Sequence, residues 1–234
     1  MDAFDAVIFD YDGTLFDTRD AIVHCLRRAF ELCRRPIPLA GTTKDAVKSG
    51  LPLEETVIAI DPTMRIDPVA LSEMVQVYRR LYFDEGARLL RPFAGATEAL
   101  RELHRGGTKC VVVSNKGVHA VRRSLDQSGL SAFIDVVFGD ATGLPKKPDP
   151  AVLTDHILPR FERLEARRVL IVGDTEIDIL FARRCGAYAC WASYGYGDAD
   201  SCRGLEPDHE IDRIDALPAL IRVQNSPHGS TIAG

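Results

Sequence analysis

Apolar positions in this chain come mostly in short unbroken runs. Five of them, AVIFD (6–10), CVVVSN (110–115), DVVFGD (135–140), VLIVGD (169–174) and YACWAS (188–193), are rich in β-branched residues and give way to polar residues or glycine. None alternates cleanly, which is how strands covered on both faces read. Between the runs the spacing becomes helical. GATEALRELHRGG places Ala96, Leu100 and Leu103 on one side and stops at Gly106-Gly107. GVHAVRRSLDQSG stops at Gly129, and EIDILFARRCG ends on two arginines and Gly186. A glycine just past the last turn is a helix-stop signal, strengthened by basic residues in that turn. Strands alternating with helices predict an α/β fold around a Rossmann-like parallel sheet with right-handed crossovers.

Residues 17–91 break the rhythm. TRDAIVHCLRRAFELCRR puts Ile22, Cys25, Leu26, Ala29, Phe30 and Cys33 on one helical face. Asp67-Pro68 has the form of an N-cap and first helical residue, with Ala70, Met74, Val77, Tyr78 and Leu81 facing inward beyond it. Asp17 and Thr18 are placed to cap the first of these helices. No strand is evident here. The expected organisation is a discontinuous α/β core domain (1–16 and 92–223), an inserted all-helical cap domain (17–91) and a small-residue, polar tail (224–234) expected to be disordered.

Composition narrows the partners. Of 234 residues, 46% are hydrophobic and 27% charged, with a net charge of −5. That balance fits a globular protein and offers no basic footprint for nucleic acid. No apolar stretch approaches the roughly 20 residues of a membrane span. Asp2 and Asp5 stand where a secretory signal would be basic. The six cysteines are scattered with no CxxC pair, as expected of reduced thiols in a cytoplasmic protein. Monomer and dimer both remain open.

The candidate chemistry lies where the runs end. In an open parallel sheet, ligands bind beyond the carboxyl ends of the strands. Asp10 and Asp12 follow the first run, Ser114 and Asn115 the second, Lys146 and Lys147 the third, and Asp174 the fourth, with Asp178 one helical turn on. Two like charges about 4 Å apart repel by roughly 4 kcal/mol at an effective dielectric near 20. Gathered carboxylates therefore call for a proton, separation or a cation, and an all-oxygen set with no His or Cys cluster selects a hard ion such as Mg2+. Backbone N–H groups around Asp12-Gly13-Thr14 and Ser114-Asn115 can form an anion-binding concavity. Together with a lysine and a carboxylate nucleophile, these features point to phosphoryl transfer.

The segments DYDGT, VVVSN, KKPDP and VGDTEID, in this order, resemble the four motifs of the haloacid dehalogenase-like hydrolase superfamily, over about residues 4–221. The helical insertion resembles its C1 cap, and SGLPLEE, RPFAGATEALREL, VSNKG and YGYGDAD together look most like the phosphoglycolate phosphatase group. The resemblance implies that Asp10 is the nucleophile and a Mg2+ ligand. It makes Asp12 the general acid and base, with its backbone carbonyl as a second ligand. Lys147, immediately before a proline, matches the motif-three lysine better than Lys146. Asp174 is implied as a direct ligand, and Asp178 as holding a metal-bound water or orienting Lys147. Gly13, Thr14, Ser114 and Asn115 would form the phosphate-binding loops, Thr14 by steadying the first of them. KSGLPLE resembles a cap loop that reaches the site, which makes Lys48 and Gly50 candidate substrate contacts.

Plainer roles stand beside these. Asp10 and Asp12 could close a turn, Asp174 could cap the helix after it, Asp178 could be structural, and Lys48 could be a solvated helix lysine. Arg79 and Arg80 are expected in charge pairs, and Tyr11 in sheet packing. The implied activity is a Mg2+-dependent phosphatase acting on a small phosphorylated metabolite through an aspartyl phosphate. The alternatives are a β-phosphoglucomutase-like phosphotransferase, a pyrophosphatase, a nucleotidase, or a non-catalytic binding relative. The mutases typically carry Glu where this chain has Gly173.

Overall fold

The computed structural model describes residues 4–48, 50–141 and 144–225. The chain begins with β1 (Ala6–Phe9) and a two-residue strand β2 (Phe16–Asp17). Four helices follow: α1 (Arg19–Leu32), α2 (Ala40–Lys48), α3 (Leu53–Ile60) and α4 (Pro68–Asp84). After β3 (Arg91–Pro92) come α5 (Ala96–Arg105), β4 (Lys109–Gly117), α6 (Val118–Ser128), β5 (Val136–Asp140) and α7 (Ala151–Thr154). The remainder is β6 (Val169–Gly173), α8 (Glu176–Cys185), β7 (Tyr188–Ala192), α9 (Ala199–Gly204), β8 (His209–Ile211) and α10 (Leu217–Asn225). Among the described residues, no helix is long and apolar enough to cross a membrane.

Six strands form one parallel sheet in the order β5-β4-β1-β6-β7-β8. β1 lies at its centre. The chain first winds outward on one side of β1 and then returns to wind outward on the other. The carboxyl end of β1 is therefore the switch point where such sheets open a crevice. Side chains alternate between two buried faces. Val7, Phe9, Val112, Leu170 and Val172 pack with Leu100 of α5, Leu125 of α6 and Ile221 of α10. Ile8, Val111, Val113, Ile171 and Trp191 pack with Val152 of α7, Phe181 of α8 and Cys202 of α9. The unbroken apolar runs follow from this double coverage. The α/β core expected from the pattern is the one found. β8, only three residues long, adds an edge strand the apolar runs did not mark.

The segment between β2 and β3 is helical, with one correction to the expectation. Phe16 pairs with Pro92 and Asp17 with Arg91 in a short antiparallel ladder, so strand structure does occur where the chain leaves and re-enters the sheet. Asp67 caps α4 as expected, accepting the Ala70 N–H at 3.0 Å, with Pro68 at the first position. Thr18 occupies the N-cap position of α1, but no side chain of its own closes the turn. The hydroxyl of Tyr196, from the loop after β7, accepts the Thr18 and Arg19 N–H groups at 2.5 and 2.9 Å and donates to Asp17 Oδ1 at 2.7 Å. That tertiary cap replaces the local one expected of Asp17 and Thr18. Tyr11 is fully buried and bonds Ser124 through its hydroxyl at 2.5 Å. All six cysteines are free. Of the tail expected to be disordered, the backbone at 224 and 225 continues α10, and residues 226–234 lie outside the described residues.

Candidate active site

Three carboxylates and one ammonium meet beyond the carboxyl ends of β1 and β6. Asp10 directly follows β1, and its N–H donates to Val172 O of β6 at 2.8 Å, which draws the two strand ends together. Lys147 Nζ donates to Asp10 Oδ1 at 2.5 Å and to Asp178 Oδ1 at 2.6 Å. One oxygen from each of Asp10, Asp174 and Asp178 lies within 4.8 Å of the others. The site thus joins residues up to 168 positions apart in sequence (178 − 10). Lys146, next to Lys147, turns away to Asp140 at 3.1 Å.

Each member is held by its own scaffold. The Asn115 side chain clamps the Lys147 backbone, accepting its N–H at 2.9 Å and donating to its carbonyl at 3.1 Å. Asp178 sits in the first turn of α8, where its Oδ2 accepts the N–H and hydroxyl of Thr175 at 3.1 and 2.9 Å. One oxygen therefore closes the helix start while the other holds Lys147. Thr175, not Asp174, is the N-cap of α8. Asp174 is instead tied inward: it accepts the Thr14 hydroxyl at 3.2 Å and the Tyr196 N–H at 2.7 Å. Gly13, at φ +81°, passes so close that a Cβ there would lie 2.2 Å from Asp174 Oδ2. A glycine is required on both counts.

Burial and charge pull against each other here. Burial first pushes the Asp10 carboxyl up to about 7, against the pull of Lys147, with the charges of Asp178 and Asp12 adding to the rise. Asp174 is held well above the ordinary carboxylate range by burial and then by Asp10 and Asp178. Burial lowers the Lys147 ammonium, but Asp10 and Asp178 more than reverse that. One lysine cannot neutralise three buried carboxylates. A hard divalent cation fits the donor set: all oxygen, buried, and short of positive charge.

Asp12 stands in a different environment. Lys116 Nζ donates to its two oxygens at 2.8 and 3.0 Å and rests 4.1 Å from the centre of the Tyr82 ring. Ser114 is buried and accepts the Lys116 N–H at 3.1 Å; β4 runs on to Gly117, so Ser114 and Asn115 lie within it, past its apolar run where the pairing with β5 shifts register, and not beyond its end. Both aspartates line a cavity of about 570 Å3 that reaches to Gly50, Leu51, Tyr82 and Phe83 of the helical segment. Gly50, at φ +63°, lies against Thr175, where a Cβ would come 2.8 Å from Oγ1. Lys48 is exposed, pairs with Asp45 at 3.1 Å and lies outside the cavity lining. Arg79 bridges the helical segment to the sheet, reaching Glu54 at 3.4 Å and Asp140 at 3.1 Å.

The profile of the haloacid dehalogenase-like hydrolase family matches residues 7–192. The chain belongs to that family. It is 30% identical over 230 residues to a phosphoglycolate phosphatase of Vibrio cholerae, covering 95% of this chain and 99% of that one. It is 28% identical to the pyrophosphatase PpaX of Halalkalibacterium halodurans, covering 93% and 97% of the two chains. A haloacid dehalogenase-like family hydrolase from Streptococcus pneumoniae shares the fold with a TM-score of 0.79 at 24% identity, over 94% of this chain and 99% of that one. This member of the family is therefore an enzyme of the hydrolase class on a Rossmann-like core.

The sequence motifs named the residues that meet at Lys147. They did not single out Lys116, Tyr82 or Tyr196. Lys116 sits inside the quoted VSNKG and Tyr196 inside YGYGDAD, so the signal was adjacency to a motif. Tyr82 carries no such mark, because only the tertiary fold brings α4 over Asp12.

Proposed function

We propose that this hydrolase is a Mg2+-dependent phosphatase of a small phosphorylated metabolite, acting through an aspartyl phosphate on Asp10, with phosphoglycolate as the first substrate to test. The observation that carries the proposal is the contrast between Asp10 and Asp12. The first is buried against Lys147 at 2.5 Å; the second, two residues on, is paired with Lys116 at the cavity wall. Two carboxylates in unlike surroundings can divide nucleophile and acid–base work between them.

In this reading Asp10 attacks phosphorus and forms a P–O bond while the ester P–O bond breaks. Asp12 gives its proton to the departing alkoxide. A water then attacks the phosphorus of the acyl phosphate. Asp12 takes the proton from that water, and inorganic phosphate leaves with Asp10 restored. Lys147 neutralises charge on Asp10 and the transferring group. Ser114 and the backbone around Asn115 and Gly13 orient the phosphoryl oxygens. Thr14 acts through Asp174 and its own loop. Asp10, Asp174 and the Asp12 carbonyl would hold Mg2+, with Asp178 placed to act through a water or to orient Lys147. When bound, the ion supplies positive charge to the phosphoryl oxygens. Residues 17–91 serve as a cap that excludes water and contributes substrate contacts such as Gly50.

The relationship to a pyrophosphatase supports a second substrate class. A mutase is disfavoured by packing: a Cβ at Gly173 would lie 2.1 Å from Asp178 Cγ, so no side chain fits there while Asp178 holds Lys147.

The test is phosphate release from phosphoglycolate, other phosphomonoesters and pyrophosphate with Mg2+. Turnover should vanish in EDTA and return with added Mg2+. Asp10→Asn should lose turnover while keeping its circular dichroism spectrum and a cooperative melt. Full activity in Asp10→Asn would refute the assigned nucleophile, and a lone peak at pyrophosphate would replace the substrate class.

A further inference from the structure

The lysines and the arginine that line the cavity over Asp10 are all paired with carboxylates. Lys147 holds Asp10 and Asp178, Lys116 holds Asp12, and Arg79 and Lys146 hold Asp140 and Glu54. Among the described residues of the lining, the one other basic side chain is His119, exposed on the first turn of α6. What the helical segment presents to the cavity beyond these pairs is apolar. Leu51, between α2 and α3, is 41% exposed, and Phe83, near the end of α4, is 51% exposed; both line the cavity. Val47 of α2 and Leu53 of α3, each partly buried, line it with them. Phe83 is held in place from the core domain: the Arg123 guanidinium of α6 lies over its ring, 3.7 Å from the centre. Large apolar side chains left open to solvent, and drawn from several elements onto one concave wall, mark a binding surface.

We infer that this wall binds the leaving group, so that the favoured substrates are phosphate monoesters of alcohols with an apolar body of about ring size. The inference rests on the phosphatase reading and deepens it, by naming the part of the substrate that the helical segment recognises. The two ends of the cavity divide the work. Asp10, Asp12, Ser114 and Lys147 stand at the phosphoryl end, where the groups are charged or polar. Leu51 and Phe83 stand on the helical segment, where an alcohol carried on the phosphoryl group would project. The cavity, about 570 Å3, lies within the roughly 300–1,000 Å3 of pockets that enclose ligands of several rings' size, and a two-carbon leaving group reaches little of it. Each CH2 buried against the wall is worth about four-fold in affinity. A second anion on the leaving group gains no such contact. To be neutralised it must draw a paired cation away from its carboxylate, which leaves that carboxylate uncompensated. Phosphoglycolate is therefore the reference against which an apolar ester is measured.

The experiment compares kcat/KM for ethyl, butyl and benzyl phosphate, all esters of primary alcohols, with that for phosphoglycolate, in the presence of Mg2+. It is run on the full-length wild-type protein and on Leu51→Ser, Phe83→Ser and Leu39→Ser. Leu39 is 77% exposed just before α2 and lies outside the cavity lining, so its variant controls for the loss of any surface leucine. Wild type should favour benzyl over ethyl phosphate by about 30-fold or more, with butyl between them and phosphoglycolate below benzyl. The benzyl-to-ethyl ratio should fall about 3- to 10-fold in Leu51→Ser and in Phe83→Ser, and should stay at the wild-type value in Leu39→Ser. Wall variants that slow ethyl and benzyl phosphate alike, leaving the ratio alone, would overturn the inference, as would an equal fall in Leu39→Ser. A wild-type profile that is flat from ethyl to benzyl, or that peaks at phosphoglycolate, would also overturn it while leaving the phosphatase reading intact. Folded wild-type protein that hydrolyses no phosphomonoester would remove both.

Discussion

Lys147 owes its place to three unrelated parts of the chain: Asn115 grips its backbone, and Asp10 and Asp178 share its ammonium. Lys147→Met should cut kcat by about 10²- to 10³-fold, the range seen when a preorganised donor to a developing charge is lost. Asp178→Asn should cut it less, since it frees one side of the lysine and leaves the contact to Asp10. Steady-state kinetics on folded variants would check the order, and a Lys147→Met enzyme of near-normal kcat would contradict it. Asp10 carries a pH prediction as well. Its folded value near 7 lies above the ordinary 3.8 because burial outweighs the pull of Lys147. The metal-free fold therefore keeps a proton that the unfolded chain releases. This group's contribution to stability is complete below about pH 4 and is lost as pH rises through about 7. A divalent cation needs Asp10 ionised, so it competes with that proton. The rise in Tm on adding Mg2+ to EDTA-treated protein should be larger at about pH 8 than at about pH 6. An equal rise at both would show that Asp10 is not a ligand. These residues were legible in the sequence because each lies in the segment that follows an apolar run, where a parallel sheet puts its site. Lys116 and Tyr82 were not, because their meeting depends on how α4 lies over β4.

Helix α1 begins with a borrowed cap. The Tyr196 hydroxyl serves Thr18, Arg19 and Asp17, and the Tyr196 N–H serves Asp174, so one residue ties the first turn of the helical segment to the carboxylate cluster. Tyr196→Phe keeps the ring under the Arg19 guanidinium, 4.2 Å from its centre, and removes only the hydroxyl. The loss should be about 1–2 kcal/mol of stability, the scale of a helix cap, read as a lower denaturant midpoint at unchanged m. A midpoint equal to wild type would mean that water caps α1 just as well. The apolar pattern could not foresee this, since it showed Asp17 and Thr18 at the right position but not that Asp17 would be engaged by a tyrosine 179 residues away. The helices were legible in proportion to their amphipathicity. α1 buries Ile22, Cys25, Leu26, Ala29 and Phe30, close to the stripe read from spacing. α2 buries only Thr43 and left no comparable stripe to find. β2 and β3 escaped notice because two-residue strands have no period.

At the scale of the whole molecule, the helical segment meets the sheet through apolar packing and through one group of charges beside the cavity. Glu54 of α3 and Arg79 of α4 face Asp140 at the end of β5 and Lys146 in the loop after it, with the Arg79–Asp140 and Lys146–Asp140 contacts both at 3.1 Å. Arg79 is half exposed, whereas Asp140 is largely covered. Pairs of this kind are worth little to folding, about 0–1 kcal/mol, and are weakened by salt. Their consequence should therefore appear in the closure proposed for residues 17–91, not in whether the protein folds. A closed state favoured by so small a free energy shifts apparent affinity by only a few-fold. Raising NaCl from about 0.05 to about 0.5 M should raise the KM of wild type by about two- to five-fold through this group. Arg79→Met should start from the higher KM and respond less to salt, with Tm near that of wild type. Salt also weakens the other charge contacts at the site, but Arg79→Met leaves those whole, so the difference in slope between the two proteins isolates the contribution of Arg79. If wild type and Arg79→Met show parallel salt dependence, these charges do not govern closure, and the apolar contacts of α1 and α4 with the sheet must hold the segment in place alone.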